Sequence, residues 1–152
     1  MKKIFVNNFS FIPYLLLFIS VTSTLQAQIK IVSTSDAPAA IGPYSQAIVT
    51  GNFVFCSGQI PLDPVTMQIV GDEIEAQTRQ VFKNIQAVLK AENLTLSNVV
   101  KCTVFMKNLD DFGKMNAIYA EEFGTNKPAR STIQAARIPR DVLIEIECIA
   151  VK

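Results

Sequence analysis

Near its end the chain reads Lys127-Pro128-Ala129-Arg130-Ser131-Thr132, and shortly afterwards Val142 to Val151 forms an apolar stretch that carries two acids, Glu145 and Glu147. A guanidinium is a rigid fork of donors suited to planar carboxylates. An ionised carboxylate on a half-buried strand must reach water, a cation or hydrogen-bond donors, or its pKa shifts and it becomes neutral. Glu145 and Glu147 therefore either face solvent or at least one of them has a task. Proton transfer is the task a carboxyl of raised pKa performs. Taken alone, Arg130 reads as a solvated loop residue and the two acids as edge-facing charges, because charged side chains mostly stay exposed. The chain has no histidine, which removes Ser-His-Asp and Cys-His nucleophiles and the usual zinc ligand sets.

The 152 residues suit one domain, since a chain of this size buries about two thirds of its unfolded surface. A hydrophobic content of 49% with 18% charged residues is globular, and too apolar for a disordered majority. The formal net charge of +1 supplies no basic surface for nucleic acid.

The start of the chain reads differently. Lys2 and Lys3 precede an apolar run, Phe11 to Val21, broken only by Pro13 and Ser20, and Ser23-Thr24-Leu25-Gln26-Ala27 ends in a small residue. The run falls short of the roughly 20 apolar residues that span a bilayer. It fits a secretory signal, residues 1–27, cut after Ala27. The expectation is an exported, periplasmic protein with one domain over residues 28–152 and no membrane contact once the signal is removed. That domain keeps 12 basic and 13 acidic residues, a balance of −1. Export permits disulfides. Yet Cys56, Cys102 and Cys148 each lie inside a predicted strand, where a free thiol behaves as a small hydrophobe, so buried thiols are expected.

These residues need elements to position them. Ile31-Val32 reads as a short edge strand. Ser45 to Val49 and Phe53 to Ser57 flank Thr50-Gly51-Asn52 as a hairpin, and Pro61 and Pro64 close the second strand. Ile74, Thr78, Val81, Phe82, Ile85, Val88 and Leu89 fall at helical spacing, giving an amphipathic helix over about 73–92. Asn93 reads as its cap rather than as part of a glycosylation signal. Val99 to Lys107 is a strand. Asn108 or Asp110 then caps a second helix, with Phe112, Met115, Tyr119 and Phe123 on one side and Gly124 at its end. Ser131 to Ala136 and Val142 to Val151 read as a strand pair turned by Ile138-Pro139-Arg140-Asp141. The layout is α+β with both helices on one face of the sheet. On the other face Glu145, Glu147, Ile149 and Val151 are mixed rather than polar, which points to burial against further copies of the chain.

Four motifs occur in order: Ile41-Gly42-Pro43-Tyr44-Ser45-Gln46-Ala47, Ser57-Gly58-Gln59-Ile60-Pro61, Pro128-Ala129-Arg130-Ser131, and Ile144-Glu145-Ile146-Glu147-Cys148-Ile149-Ala150-Val151. Together they resemble the reactive intermediate deaminase A family (RidA), also known as YjgF/YER057c/UK114 and, under an older name, L-PSP endoribonuclease. The resemblance covers nearly everything after residue 30. It implies a chorismate-mutase-like, ferredoxin-like α+β fold assembled as a homotrimer with sheets inward and a site at each subunit interface. It also implies hydrolysis of small 2-imino acids and their enamine tautomers (2-aminoacrylate/2-iminopropanoate, 2-iminobutanoate) to 2-keto acids and ammonia, without a cofactor or a metal. By motif, Arg130 would bind the substrate carboxylate and Glu145 would hold the hydrolytic water. Tyr44, Ser57, Gly58, Asn116 and the backbone of Thr132 would line the pocket. The choice of Glu145 over Glu147 rests on the resemblance alone. Thr132 departs from members that carry Cys there, and the connection Gly124-Thr125-Asn126-Lys127 is short for the family. A stress holdase or a small-metabolite-binding protein of the same fold is the alternative reading. An endoribonuclease would want a basic face and a histidine pair that the chain lacks.

Overall fold

The computed structural model describes residues 28–152, so the expected signal peptide and its cut after Ala27 lie outside the described residues. Eight main elements follow one another: β1 (Ile29–Val32), β2 (Ala47–Thr50), β3 (Phe53–Gln59), α1 (Ile74–Lys90), β4 (Val99–Met106), α2 (Phe112–Phe123), β5 (Ala129–Gln134) and β6 (Ile144–Val151). The strands form one sheet in the order β1-β2-β3-β6-β4-β5. Among the described residues no helix is long and apolar enough to cross a membrane.

The local rules work at the helices. On α1 the residues Val81, Phe82, Ile85, Val88 and Leu89 are at most 1% exposed, each such burial being worth about 1.5–3 kcal/mol. The chain leaves that helix through Asn93 in the left-handed region, φ 58°. Asn108 accepts a hydrogen bond from the Asp110 N–H (3.0 Å) and starts the single turn that leads into α2. Gly124 ends α2 at φ 56°. Phe82 meets the rings of Tyr119 and Phe123 edge-on, with centroids 5.6 and 5.5 Å away. Loss of that ring, as in Phe82→Ala, is expected to cost about 3–5 kcal/mol.

Alternation along β6 separates two faces as the period of two requires. Ile144, Ile146, Cys148 and Ala150 are buried under the helices, while Glu145, Glu147, Ile149 and Val151 occupy the open face. The three cysteines are free and buried. They form one row across the core side, with Cys148 opposite Cys56 on β3 and Cys102 on β4. Burial also pushes the Cys102 thiol pKa up.

The expected pairing of residues 131–136 with 142–151 does not form. β5 instead lies parallel to β4 at the sheet edge, and β6 inserts between β3 and β4, antiparallel to both. Composition explains the exchange. β6 is apolar on its helix face and half apolar on the other, so a central place buries most of it. β5, Ala-Arg-Ser-Thr-Ile-Gln, loses least by remaining at an edge. The helix α2 supplies the crossover that a parallel β4–β5 pair demands.

Buried amides hold the loops to this frame. Gln46, 4% exposed, accepts from the Thr34 N–H (2.6 Å) and donates to the carbonyls of Thr34, Ala37 and Pro38. Asn84 donates to the carbonyls of Ile60 and Leu62, both at 3.0 Å. The Leu143 N–H donates to Gln77 Oε1 at 2.8 Å. These side chains pair backbone groups that would otherwise be buried without partners, and they fix the segments flanking the open face.

Candidate active site

Glu145 sits on β6 beside Phe105 of β4, half-buried and facing away from the helices. On its other side β3 carries a bulge. Cys56 pairs with Cys148 but Gln59 pairs with Ile146, so Ser57 and Gly58 together oppose Glu147. A bulge of this kind re-aims side chains and lets a backbone approach closely. At Gly58 the approach is to the Glu145 carboxyl: a Cβ there would fall on Oε1 and stand 2.8 Å from Cδ. Any larger residue would push the carboxyl aside. Ser57 donates to the Ser45 carbonyl (2.6 Å), and its N–H donates to the Gln46 carbonyl (3.0 Å). Those two bonds dock the loop that presents Tyr44, whose N–H donates to Gly42 (2.8 Å). Tyr44, Ser57, Gly58, Glu145 and Glu147 line a cavity of about 410 Å³ that Ile41, Ile60 and Pro139 complete with apolar surface.

Burial in that wall raises the Glu145 pKa above its ordinary value, and the negative charge of Glu147 adds to the effect. No ion pair or hydrogen bond among the described residues relieves Glu145 or Glu147. The two acids differ in depth, Glu145 being half-buried and Glu147 exposed. It is Glu145 that the glycine accommodates. The loop beside them is tightly built: Arg140 and Asp141 adopt φ 61° and 59°, Arg140 donates to the Met67 carbonyl (3.0 Å), and Arg137 grips Asp141 with two bonds of 2.8 and 2.9 Å. Two successive non-glycine residues in the left-handed region are strained, and their fixation holds Pro139 at the cavity rim.

Arg130 and Asn116 lie elsewhere. Arg130 is opposite Cys102 in the β4–β5 register, hence on the helix face, and lines a separate cavity of about 320 Å³ with Asn116, Tyr119 and Lys127. Its guanidinium rests on aromatic rings, 4.4 Å from the Tyr119 centroid and 5.5 Å from that of Phe112. Among the described residues no carboxylate pairs with it. Thr132, two residues further along the same strand and opposite Val104, keeps a buried hydroxyl without a partner among the described residues. One chain thus places Tyr44, Ser57, Gly58 and Glu145 together, and Asn116, Arg130 and Thr132 on the other side of the sheet. Phe112 and Tyr119 read as core from their spacing. Their second neighbour, Arg130, was hidden because the β4–β5 pairing was not legible. Among the described residues no cluster of three or more ligating side chains is placed to hold a metal.

A family profile described as Endoribonuclease L-PSP matches residues 34–152. The chain belongs to that family. This is the Rid/YjgF group whose motifs the chain carries, and a RutC family protein of Pyrococcus horikoshii is 54% identical over 123 residues, covering 81% of this chain and 98% of the relative. Solved structures share the fold. A conserved Rid family protein of Yersinia pestis has a TM-score of 0.80 at 46% identity, covering 82% of this chain and 100% of that one. The E. coli protein TdcF, solved with bound serine, has a TM-score of 0.77 at 42% identity, covering 81% and 98%. In this L-PSP member all four family motifs fall on the two cavities or on the strands that carry them.

Proposed function

We propose that the protein is a hydrolytic deaminase of small 2-imino and enamine acids, such as 2-iminopropanoate and 2-iminobutanoate, yielding 2-keto acids and ammonia. One observation carries this reading: among the described residues, a guanidinium with no anion beside it and a partly buried carboxyl with no cation beside it, each lining a cavity. A 2-imino acid would satisfy both groups. Its carboxylate takes the two parallel bonds a guanidinium offers, and its C2 takes water held by Glu145. As the water oxygen bonds to C2, Glu145 accepts the released proton. The carboxyl returns that proton to nitrogen, giving a carbinolamine; it then takes the carbinol O–H proton and passes it to the amino nitrogen, so the C–N bond breaks and ammonia leaves as the keto group forms. A carboxyl of raised pKa suits both transfers. The bound serine of TdcF, itself an α-amino carboxylate, is consistent with an acid group as the shared handle.

Because Arg130 and Glu145 lie on opposite faces of one sheet, we place the complete site between copies of the chain. Phe53, Phe55 and Ile133 stand 44–48% exposed on the open face, an apolar surface suited to closing three sheets around a common axis so that one protomer's Arg130 cavity covers its neighbour's Glu145 cavity. Export to the periplasm after cleavage at Ala27 is also proposed; the mass of the mature N-terminus from fractionated cells tests it.

The deciding experiment measures ammonia release from freshly generated 2-iminopropanoate by wild type, Arg130→Ala and Glu145→Gln, and by the two variants mixed after mild dissociation. Each variant alone is expected to be inactive and the mixture to recover activity, because hybrid assemblies contain some intact interfaces. Variants as active as wild type overturn the chemistry, and a mixture without recovery overturns the shared site. Inactive wild type that suppresses aggregation of a client protein favours the holdase.

A further inference from the structure

We propose that Phe112 and Tyr119 are positioning residues for Arg130, an aromatic seat that holds the guanidinium by its face and leaves its N–H edges free for a ligand carboxylate. The proposal rests on the reading of Arg130 as the carboxylate anchor and adds how that anchor is kept both fixed and unoccupied. A neighbouring Asp or Glu would also fix the side chain, but it would consume the fork of donors that a substrate needs. A ring attracts the cation through its π face and leaves the donors unused.

The seat is built from a helix face and two ties. Phe112 and Tyr119 are seven residues apart, two turns of α2, and so share one side of it. At the start of α2 the Leu109 N–H donates to Gln134 Oε1 on β5 (3.0 Å). Past its end Asn126 donates to the carbonyls of Leu96 (2.8 Å) and Val99 (3.1 Å) beside β4. The helix is therefore pinned at both ends to the strands that carry Arg130 and its lateral neighbour Cys102. Tyr119 is itself wedged against Phe82 and Phe123, with centroids 5.6 and 4.6 Å away. Its hydroxyl is buried beside the Cys102 thiol, and among the described residues it makes no hydrogen bond to Arg130. The ring, and not its oxygen, is what serves Arg130.

Calorimetric titration of the full assembly with 2-oxobutanoate, a 2-keto carboxylate that needs no turnover, tests this. Phe112→Leu and Tyr119→Leu are expected to weaken binding roughly tenfold, the scale of a lost cation–π contact. Phe112→Tyr and Tyr119→Phe, which keep the rings, should bind within about threefold of wild type on the same scale. In the deaminase assay the Leu variants should raise KM and leave kcat nearly unchanged. Should Tyr119→Leu fail to fold, Phe112→Leu decides alone, because Phe112 is exposed at the first residue of α2. Leu variants that bind like wild type, or Tyr119→Phe binding as weakly as Tyr119→Leu, overturn the seat. Ring-dependent binding in a protein that releases no ammonia leaves the seat standing and overturns the deaminase. Ammonia release that depends on Arg130 but not on the rings does the reverse.

Discussion

Two glutamates held in the folded surface show opposite electrostatic designs. Glu92, just past α1, is gripped by Lys30 at 2.8 Å and Lys152 at 3.1 Å, which tie β1 and the C-terminal residue to the helix end. The Lys30 hydrogen bond, with help from Lys152, lowers its pKa. Glu145 on β6 has no such partner among the described residues, and burial raises its pKa. The chain contains 14 lysines and arginines, so a missing cation at Glu145 is a matter of placement and not of supply. A carboxylate with partners contributes to stability. One that lacks them is costly to the fold, and a shifted carboxyl in a cavity is a candidate for proton transfer.

The sharpest break of this contrast is Glu145→Gln. Loss of the proposed proton transfer should lower ammonia release by about 10²–10⁴, while stability at neutral pH rises. The sign follows from linkage. A carboxyl whose folded pKa is raised holds its proton in the native state above the ordinary value of 4.5, so stability falls as pH increases through the raised value. Denaturant midpoints of wild type and Glu145→Gln should coincide in acid and separate toward neutral pH, with the variant more stable. A wild type that is more stable at neutral pH would refute the description of Glu145 as unrelieved.

Gly58→Ala comes next. Its methyl group must displace the Glu145 carboxyl, and a misplacement of about 1 Å can cost roughly 10²-fold in rate. Circular dichroism should remain that of wild type, and combining Gly58→Ala with Glu145→Ala should add little further destabilisation because the occupied space has been vacated.

Glu92→Gln is the complementary test. It should cost about 1 kcal/mol at neutral pH, leave ammonia release unchanged, and differ less and less from wild type as pH falls. A carboxyl with a lowered folded pKa contributes stability above its ordinary range and loses it as pH drops through the folded value. Thermal melts from neutral to acid pH measure this.

The smallest effect belongs to Glu147→Gln. Removing that charge leaves burial as the cause of the raised Glu145 pKa, so the acidic limb of the activity profile should move modestly to lower pH while maximal activity changes little. A large drop in maximal activity would instead assign Glu147 a direct part in proton transfer.

Periodicity alone was enough for both helices, their end signals at Asn93 and Gly124, the hairpin at Gly51, the buried thiols and the two faces of β6, because each depends on residues a few positions apart. The motifs also named candidate site residues by type. Their partition was not legible. An alternating pattern states which side chains share a face, but not which strand lies alongside. The insertion of β6 between β3 and β4, the parallel placement of β5 and the bulge at Ser57-Gly58 all arise from competition among distant segments for burial.

The residue order thus determined the chemistry on offer, a guanidinium and a carboxyl in a chain without histidine, and the elements that carry them. Only the tertiary structure decided that Gly58 and not a side chain meets Glu145, that two aromatic rings receive Arg130, and that the two charged groups face opposite sides of one sheet. The reason is that sheet order is chosen by total apolar burial over the whole chain, a quantity no local stretch contains.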